Sequence, residues 1–416
     1  MSMLHKVLVF LVALTLADRL CAQVPSSLLL MSDTTWRSKN MMAFVGGDAG
    51  IASNAVDVFF LERSILGGHI HREYVDALLE DMPNRSRVGY SANAQLELLN
   101  FRDTLLGRPN LGFKAAFSTN YHGYASFQPT AFETVFTGNS GARAQTQELG
   151  PLNVQSQSWQ KVGFGLFNKN TLSGLTLSLV EGQSYRNLQA ESALLYTSAM
   201  ADTLRLDVVG SYNRSDTTRK GWANGSGVGA CIDFDYNVLL DNGKRIVSFS
   251  ARNLGFVVWN QASEAYTINS STDWLGLDVS NWLNGNTDSL SMPEWSDSLK
   301  VSRNQSSMLK PLPATFHMRY LHKWKENRYW ETGFVYTPNQ AAVPMVYLGL
   351  THHLGRNLWL SERVHYGGYG AFSVGAEVQW MSAKSWFIRA GTSQLDGWLL
   401  SVAGGRNAYL NLGKNF

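Results

Sequence analysis

From Ala371 to Met381 the chain changes character at every residue. Phe372, Val374, Ala376, Val378 and Trp380 are apolar, while Ser373, Gly375, Glu377 and Gln379 between them are small or polar. A period of two sustained this long is the pattern of a β-strand with an apolar and a polar face. It recurs on both sides. Leu358 to Tyr366 precedes it and breaks at Gly367-Gly368-Tyr369-Gly370. Trp386, Ile388 and Ala390 then alternate with Phe387, Arg389 and Gly391. A Leu395-Asp396-Gly397 turn leads to Trp398, Leu400 and Val402, and Gly404-Gly405-Arg406-Asn407 leads to Ala408, Leu410 and Leu412. Strands of about nine to eleven residues joined by tight turns have the length of tilted membrane-spanning hairpins. A soluble sandwich alternates too. Trp380, Trp386 and Trp398 near the ends of the apolar faces, with the charges of Glu377 and Arg389 opposite, favour lipid on one side and a wet lumen on the other.

The same pattern runs through the earlier chain. Val88 to Leu98 alternates against Glu97 and its neighbours, Leu111 to Phe117 against Lys114, and Leu204 to Tyr212 against Arg205 and Asp207. Val228 to Val238 alternates against Asp233 and Asp235, which must point inward, because a charge in lipid costs a few kcal/mol. Asp241-Asn242-Gly243 follows as a hairpin turn. Strands return at Phe316 to Tyr320, Trp330 to Tyr336 and Val346 to Leu350. The expected fold is all-β, a transmembrane antiparallel β-barrel of about 14 strands, with roughly 12 to 18 compatible with the pattern. Candidate lumen-facing residues are Glu97, Lys114, Arg205, Asp207, Asp233, Asp235, Arg319, Arg363, Glu377 and Arg389. Ile232→Arg is expected to impair insertion, and Asp233→Asn to be tolerated.

Three stretches depart from a period of two. Between Arg72 and Met82, Val75, Leu78, Leu79 and Met82 fall at helical spacing. This helix, about 16 Å long, cannot span a bilayer, and it is expected in the lumen or at its periplasmic mouth as a partial plug. Thr137 to Ser156 is polar and irregular, a loop. Thr272 to Gln305 is a long loop, a candidate extracellular cap, with the dense apolar run Trp274 to Leu283.

The N-terminus carries Lys6, an apolar run from Val7 to Ala17, and Leu20-Cys21-Ala22 before Gln23. This is the plan of a secretory signal peptide, so the expected division is 1–22 signal peptide and 23–416 barrel. Asp18-Arg19-Leu20 before Cys21 is not a lipobox. Cys231 is then the only cysteine of the mature chain, and no intrachain disulfide is possible. After the signal no run of 18 or more apolar residues occurs, which excludes helical membrane spans. The 37 glycines, 13 Trp, 16 Tyr and 20 Phe against 10 prolines suit a glycine-turned, aromatic-girdled barrel. A net charge of +3 is too small to argue for nucleic acid.

A chain that ends on Phe416 after a strand resembles the C-terminal signal by which bacterial outer-membrane barrels reach their assembly machinery. Lys414, where a second apolar residue is usual, would snorkel to the interface. With the signal ending in Cys-Ala-Gln, the early helix, Leu312-Pro313 opening a strand and the Tyr366-Gly367-Gly368-Tyr369-Gly370 turn, the chain resembles a family of outer-membrane barrels from Bacteroidota. That family is related to the long-chain fatty-acid (FadL-like) transporters and to barrels associated with type IX secretion and gliding. The resemblance implies a barrel in the outer membrane and carries no functional residue over.

The chemistry legible in the sequence is sparse. His69 and His71 share one side of an extended segment, without a third ligand nearby. His352 and His353 point to opposite sides of a strand. Asp233 and Asp235 lie about 7 Å apart on one face and are expected to pair with lumen arginines, Arg205, Arg319, Arg363 or Arg389. Ser361 and His365 share a face but lack an orienting acid. No enzyme activity and no cofactor or metal is expected. Two readings remain: a channel or transporter for small apolar or amphiphilic solutes, or a structural barrel that docks periplasmic or surface proteins. The expected partners are outer-membrane lipid and the assembly machinery.

Overall fold

The structure, a computed structural model, describes residues 41–102, 104–139, 141–200, 203–219, 224–274, 302–355, 357–382 and 386–416. The expected signal peptide and residues 275–301 of the long loop lie outside the described residues. In chain order the elements are β1 (Met41–Ser53), α1 (Val58–Leu66), α2 (Arg72–Glu80), β2 (Ser86–Asn100), β3 (Leu111–Phe127), α3 (Pro129–Thr137), β4 (Gln145–Glu148), β5 (Leu152–Asn168), β6 (Gly174–Thr197) and β7 (Leu204–Arg214). They continue with β8 (Gly227–Leu240), β9 (Arg245–Trp259), β10 (Glu264–Trp274), β11 (Ser302–Gln305), β12 (Met308–Pro311), β13 (Thr315–Lys325), β14 (Arg328–Tyr336), β15 (Val343–Leu354), β16 (Leu358–Gly368), β17 (Phe372–Met381), β18 (Trp386–Thr392), α4 (Asp396–Leu399) and β19 (Gly405–Asn415).

Fourteen of these strands close a ring of antiparallel neighbours. The circuit runs β1-β2-β3-β5-β6-β8-β9-β13-β14-β15-β16-β17-β18-β19 and returns to β1, where Met42 lies opposite Asn415 and Ala52 opposite Gly405. Closure satisfies the backbone without a free edge, which a bilayer requires. The chain's last residue joins this seam, the Phe416 N–H donating to Met41 O at 2.8 Å.

The two faces of the wall differ in kind. Phe164, Leu179, Val228, Met318, Leu348 and Phe372 are exposed on the outside. Asn120, Gln157, Glu331, Ser361 and Glu377 are buried within. Aromatic residues mark both ends of the outer face: Trp324, Trp380 and Trp386 at one, Tyr90, Tyr121, Tyr336 and Tyr366 at the other. Lys414 Nζ sits 5.2 Å from the Trp386 ring centroid and 4.9 Å from that of Phe416, so its charge rests on the aromatic girdle.

The ends of the ring differ too. One carries the short turns after β8, β13, β15 and β17 together with the start of β1 and the end of β19; the other carries the long connections. β6 overruns the ring at the long-loop end. Its first half pairs with β8 and its second half with β7, which pairs in turn with β10. The resulting sheet of β4, the end of β6, β7, β10 and β11 projects roughly 30 Å from the rim, the length of an eleven-residue strand. Its clamp is Glu264, whose carboxylate accepts hydrogen bonds from Arg214 on β7, Arg303 on β11 and, at 2.7 Å, Tyr266.

Burial opposes ionisation of Glu264, but Arg214, Tyr266 and Arg303 outweigh it and hold the carboxyl at about 2. Because the folded pKa is depressed, the clamp contributes fully above the ordinary carboxyl value and fails as pH falls from about 4.5 toward 2. Amide exchange of β7 and β10, corrected for intrinsic rate, is expected to lose protection at about pH 3 in the native protein. In Glu264→Gln it is expected to be already raised at neutral pH and to respond little to acid.

The helices correct the sequence reading. Arg72–Glu80 is helical as expected; α1 and α3 accompany it, and the stretch Thr137 to Ser156, expected as a loop, contains β4 and the start of β5. All three lie in connections at the long-loop end, since β1 begins at the short-turn end and must exit at the other. Val75 and Met82 are buried with Phe60, Leu61 and Phe132. Leu78 and Leu79 pack on the same cluster, together with Ile51, Val88 and Phe127. Those last three have the outward parity of β1, β2 and β3. The stripe therefore does not plug the lumen: at this level the inward face offers Ser91 and His122, whereas the outer rim is apolar. Nor do Trp398, Leu400 and Val402 form a strand. They lie on α4 and the loop after it, with Trp398 Nε1 donating to Asn407 O at 2.7 Å.

Candidate functional site

The lumen is the candidate site. On the wall formed by β13 to β19, charges alternate from strand to strand. Arg319 pairs with Glu331, Glu331 with Arg363 at 2.5 Å, Arg363 with Glu377 at 3.1 Å, and Glu377 with Arg389 at 2.6 Å. Tyr409 donates to Glu377 at 2.5 Å. Glu331 and Glu377 are no more than 1% exposed. Charges this buried survive only with several partners each, and the glutamates have them.

Glycines shape this ladder. Gly349 lies between Glu331 on β14 and Arg363 on β16. A Cβ there would come within 2.9 Å of Arg363 Cγ and 3.0 Å of Glu331 Oε1. Gly333 lies under the Tyr347 ring, Gly375 under His365, and Gly391 under the Tyr409 hydroxyl. All four face inward. Long side chains of one strand thus lie flat over glycines of the next instead of standing across the barrel.

The opposite wall carries a second group. Lys114 pairs with Glu97 at 2.9 Å, Lys161 with Asp233 at 2.5 Å, and Arg252 with Asp235 at 2.5 Å. These six side chains keep 12–27% of their surface exposed, so water reaches this side. A bulge builds part of it: between Ile232/Leu254 and Phe234/Ala251, β9 carries one residue more than β8. Asn253 takes φ 54° there, in the left-handed region where Asn is tolerated. Arg252 and Asn253 consequently both serve the inner face. The Asn253 N–H donates to Asp233 at 2.8 Å, and its side chain accepts from Lys161 at 2.9 Å.

Of the ten residues singled out from sequence, Glu97, Lys114, Asp233, Asp235, Arg319, Arg363, Glu377 and Arg389 meet in these two groups. Arg205 and Asp207 do not. They sit on β7 in the projecting sheet, where Arg205 pairs with Asp273 at 2.6 Å and both side chains are about half exposed. The aspartates take Lys161 and Arg252 as partners, not the arginines expected. Lys161, Arg252, Glu331 and Tyr409 escaped the sequence reading. Glu331 lies on the polar parity of Trp330 to Tyr336, and Arg252 on that of Ser248 and Ser250, so both could have been found; Asn253, the extra residue of the bulge, could not.

Toward the long-loop end the lining is mostly neutral, with Asp396 the acid among it. A cavity of about 60 Å³ lies there, lined among others by Tyr90, His122, Gln340, Tyr369, Gln394 and Asn407. The histidines read as possible ligands remain apart from any site. His69 and His71 meet edge to face, with centroids 4.6 Å apart, between α1 and α2, and among the described residues no three His, Cys, Asp or Glu converge as metal ligands. Ser361 hydrogen-bonds Thr351 at 2.8 Å, while His365 lies against Tyr347.

An apolar outer face, closed ring and charged inner face define a transmembrane β-barrel. Within that class the chain belongs to the family of unknown function DUF5723, whose profile matches residues 40–384. No curated protein matches it. Among solved structures it is similar to the ΔS2S3 mutant of the monoaromatic hydrocarbon channel TodX, at 11% identity and TM-score 0.45 over 91% of each chain. It is similar also to the Pseudomonas putida toluene transporter TodX, at 12% identity and TM-score 0.41 over 94% of this chain and 92% of that one. A third is a Pseudomonas aeruginosa FadL homologue, at 11% identity and TM-score 0.35 over 91% and 90%. Likeness at this level carries no function across.

Proposed function

We propose that the protein is a channel or transporter of the bacterial outer membrane that moves small amphiphilic solutes through a gated lumen. The observation that carries this reading is the row of inward glycines, Gly333, Gly349, Gly375 and Gly391, over which charged and aromatic side chains lie along the wall. A barrel that serves only as a scaffold has no need to hold its lining flat; a conduit does. The charges of both walls favour solutes with a polar part over wholly apolar ones. The ladder is buried, so the conformer described is a closed one, and water-accessible Glu97, Lys114, Asp233 and Asp235 mark the side along which solute moves.

Purified protein in planar bilayers is expected to give discrete conductance steps. Gly349→Leu, which lifts Arg363 and Glu331 off the wall, is expected to shrink the steps while the barrel still assembles. A correctly folded native protein that never conducts would overturn the proposal.

A further inference from the structure

The Gly367-Gly368-Tyr369-Gly370 turn joins β16 to β17, yet its partners belong to another wall. Arg87 on β2 donates from Nε to Gly368 O at 3.0 Å and from Nη2 to Gly370 O at 2.9 Å. The Tyr369 ring stacks on Tyr124 of β3, with centroids 6.4 Å apart and planes 26° apart. It also covers the backbone of Gly89, where a Cβ would meet the ring at 2.3 Å. Its hydroxyl donates to Gln340 Oε1 at 2.7 Å, in the β14–β15 connection. Around the ring β18, β19 and β1 separate β17 from β2. The turn therefore crosses the mouth of the lumen rather than following the wall, and Tyr369 is only 5% exposed.

We propose that this turn is the constriction that selects what passes, with Tyr369 as the closing residue and Arg87 as its latch. The inference rests on the channel reading. The turn is built to move as a unit. Gly367 at φ 112° and Gly368 at φ 73° give it a shape open to glycine alone, and the Gly367 N–H closes it on Ala371 O at 2.8 Å. Its attachments across the mouth are side-chain contacts, with no ladder to break. Lifting it costs the Arg87 and Gln340 hydrogen bonds, the aromatic contact and, at its foot, the terminal Val343–Gly368 pair of the β15–β16 ladder, and leaves the rest of the ring's ladders intact. What a solute must displace is an aromatic ring held by the neutral groups His122 and Gln340, in a turn whose Gly368 and Gly370 carbonyls are already engaged by Arg87. An amphiphile with a flat or apolar body and an uncharged polar head competes for those contacts; a small inorganic ion does not.

The test is a disulfide latch. A Cβ at Gly89 would lie 2.4 Å from Tyr369 Cγ, so Gly89→Cys with Tyr369→Cys, in a Cys231→Ser background, places the two sulfurs within bonding reach. The pair is expected to lose conductance on oxidation and regain it on reduction. Arg87→Ala, which keeps the turn but removes its latch, is expected to open more often than the native protein. Equal conductance of the oxidised and reduced pair would overturn the latch and leave the channel standing. Silence of every form, the reduced pair and Arg87→Ala included, would overturn the channel reading and the latch with it.

Discussion

Glu377→Ala is expected to destabilise the folded barrel by about 3–5 kcal/mol, the range for removing one member of a buried charge network. The Glu377 carboxylate accepts from Arg363, Arg389, Tyr409 and Gln379. Without it Arg389 loses the carboxylate it holds at 2.6 Å, and Arg363 is left with Glu331. Neither guanidinium has water to fall back on, with side chains 3% and 7% exposed. Arg205→Ala supplies the contrast, because its pair with Asp273 stands in solvent on the projecting sheet, where such pairs contribute little. Urea titration of protein refolded into lipid vesicles, followed by tryptophan fluorescence, compares the two. Equal losses would mean that the ladder is not the buried structure described.

Ile232→Arg is expected to cost about 2–4 kcal/mol, the range for arginine in the middle of the lipid-facing surface. Ile232 lies near the middle of β8 with its side chain outward and 40% exposed. The next residue, Asp233, faces the lumen and holds Lys161 and the Asn253 N–H. The sequence alone suggested that Asp233→Asn would be harmless. The structure revises this: the substitution takes from Lys161 the carboxylate it pairs with and leaves it the Asn253 side-chain oxygen, and Lys161→Met should restore the loss. No lumen substitution should rescue Ile232→Arg. Insertion yields of the single and double variants into preformed vesicles decide the matter, and rescue of Ile232→Arg by Lys161→Met would refute the assignment of faces.

The barrel was legible because a period of two marks each strand wherever one side is apolar, and Val346 to Leu350 or Phe372 to Met381 need nothing else. Alternation does not say which sheet a strand joins. Leu204 to Tyr212 alternates as well as any wall strand, yet β7 departs from the ring because β6 changes partner between Gly182 and Arg186. That choice depends on pairing at long range, so Arg205 and Asp207 were misplaced. The helix at Arg72 was visible by its period, but its location was not. Counting chain direction from the start of β1 would have put it at the long-loop end, and only the outward apolar rim of Ile51, Val88 and Phe127 explains why it lies outside. The ion partners were the least legible. Lys161 and Asp233 are 72 residues apart in the chain, and the β9 bulge turns Asn253 inward beside Arg252, against the alternation.

A bilayer-spanning wall requires successive residues to face opposite sides, and β15 shows the alternation most cleanly: Val346, Leu348 and Leu350 are exposed outside, Tyr347 and Thr351 buried inside. Single cysteines at these five positions, each in a Cys231→Ser background and carrying a nitroxide label, can be read in proteoliposomes against oxygen and a water-soluble nickel chelate. Oxygen is expected to dominate at Val346, Leu348 and Leu350, and to fall in step at Tyr347 and Thr351. Loss of the two-residue period, or nickel reaching all five positions equally, would contradict a bilayer-spanning wall.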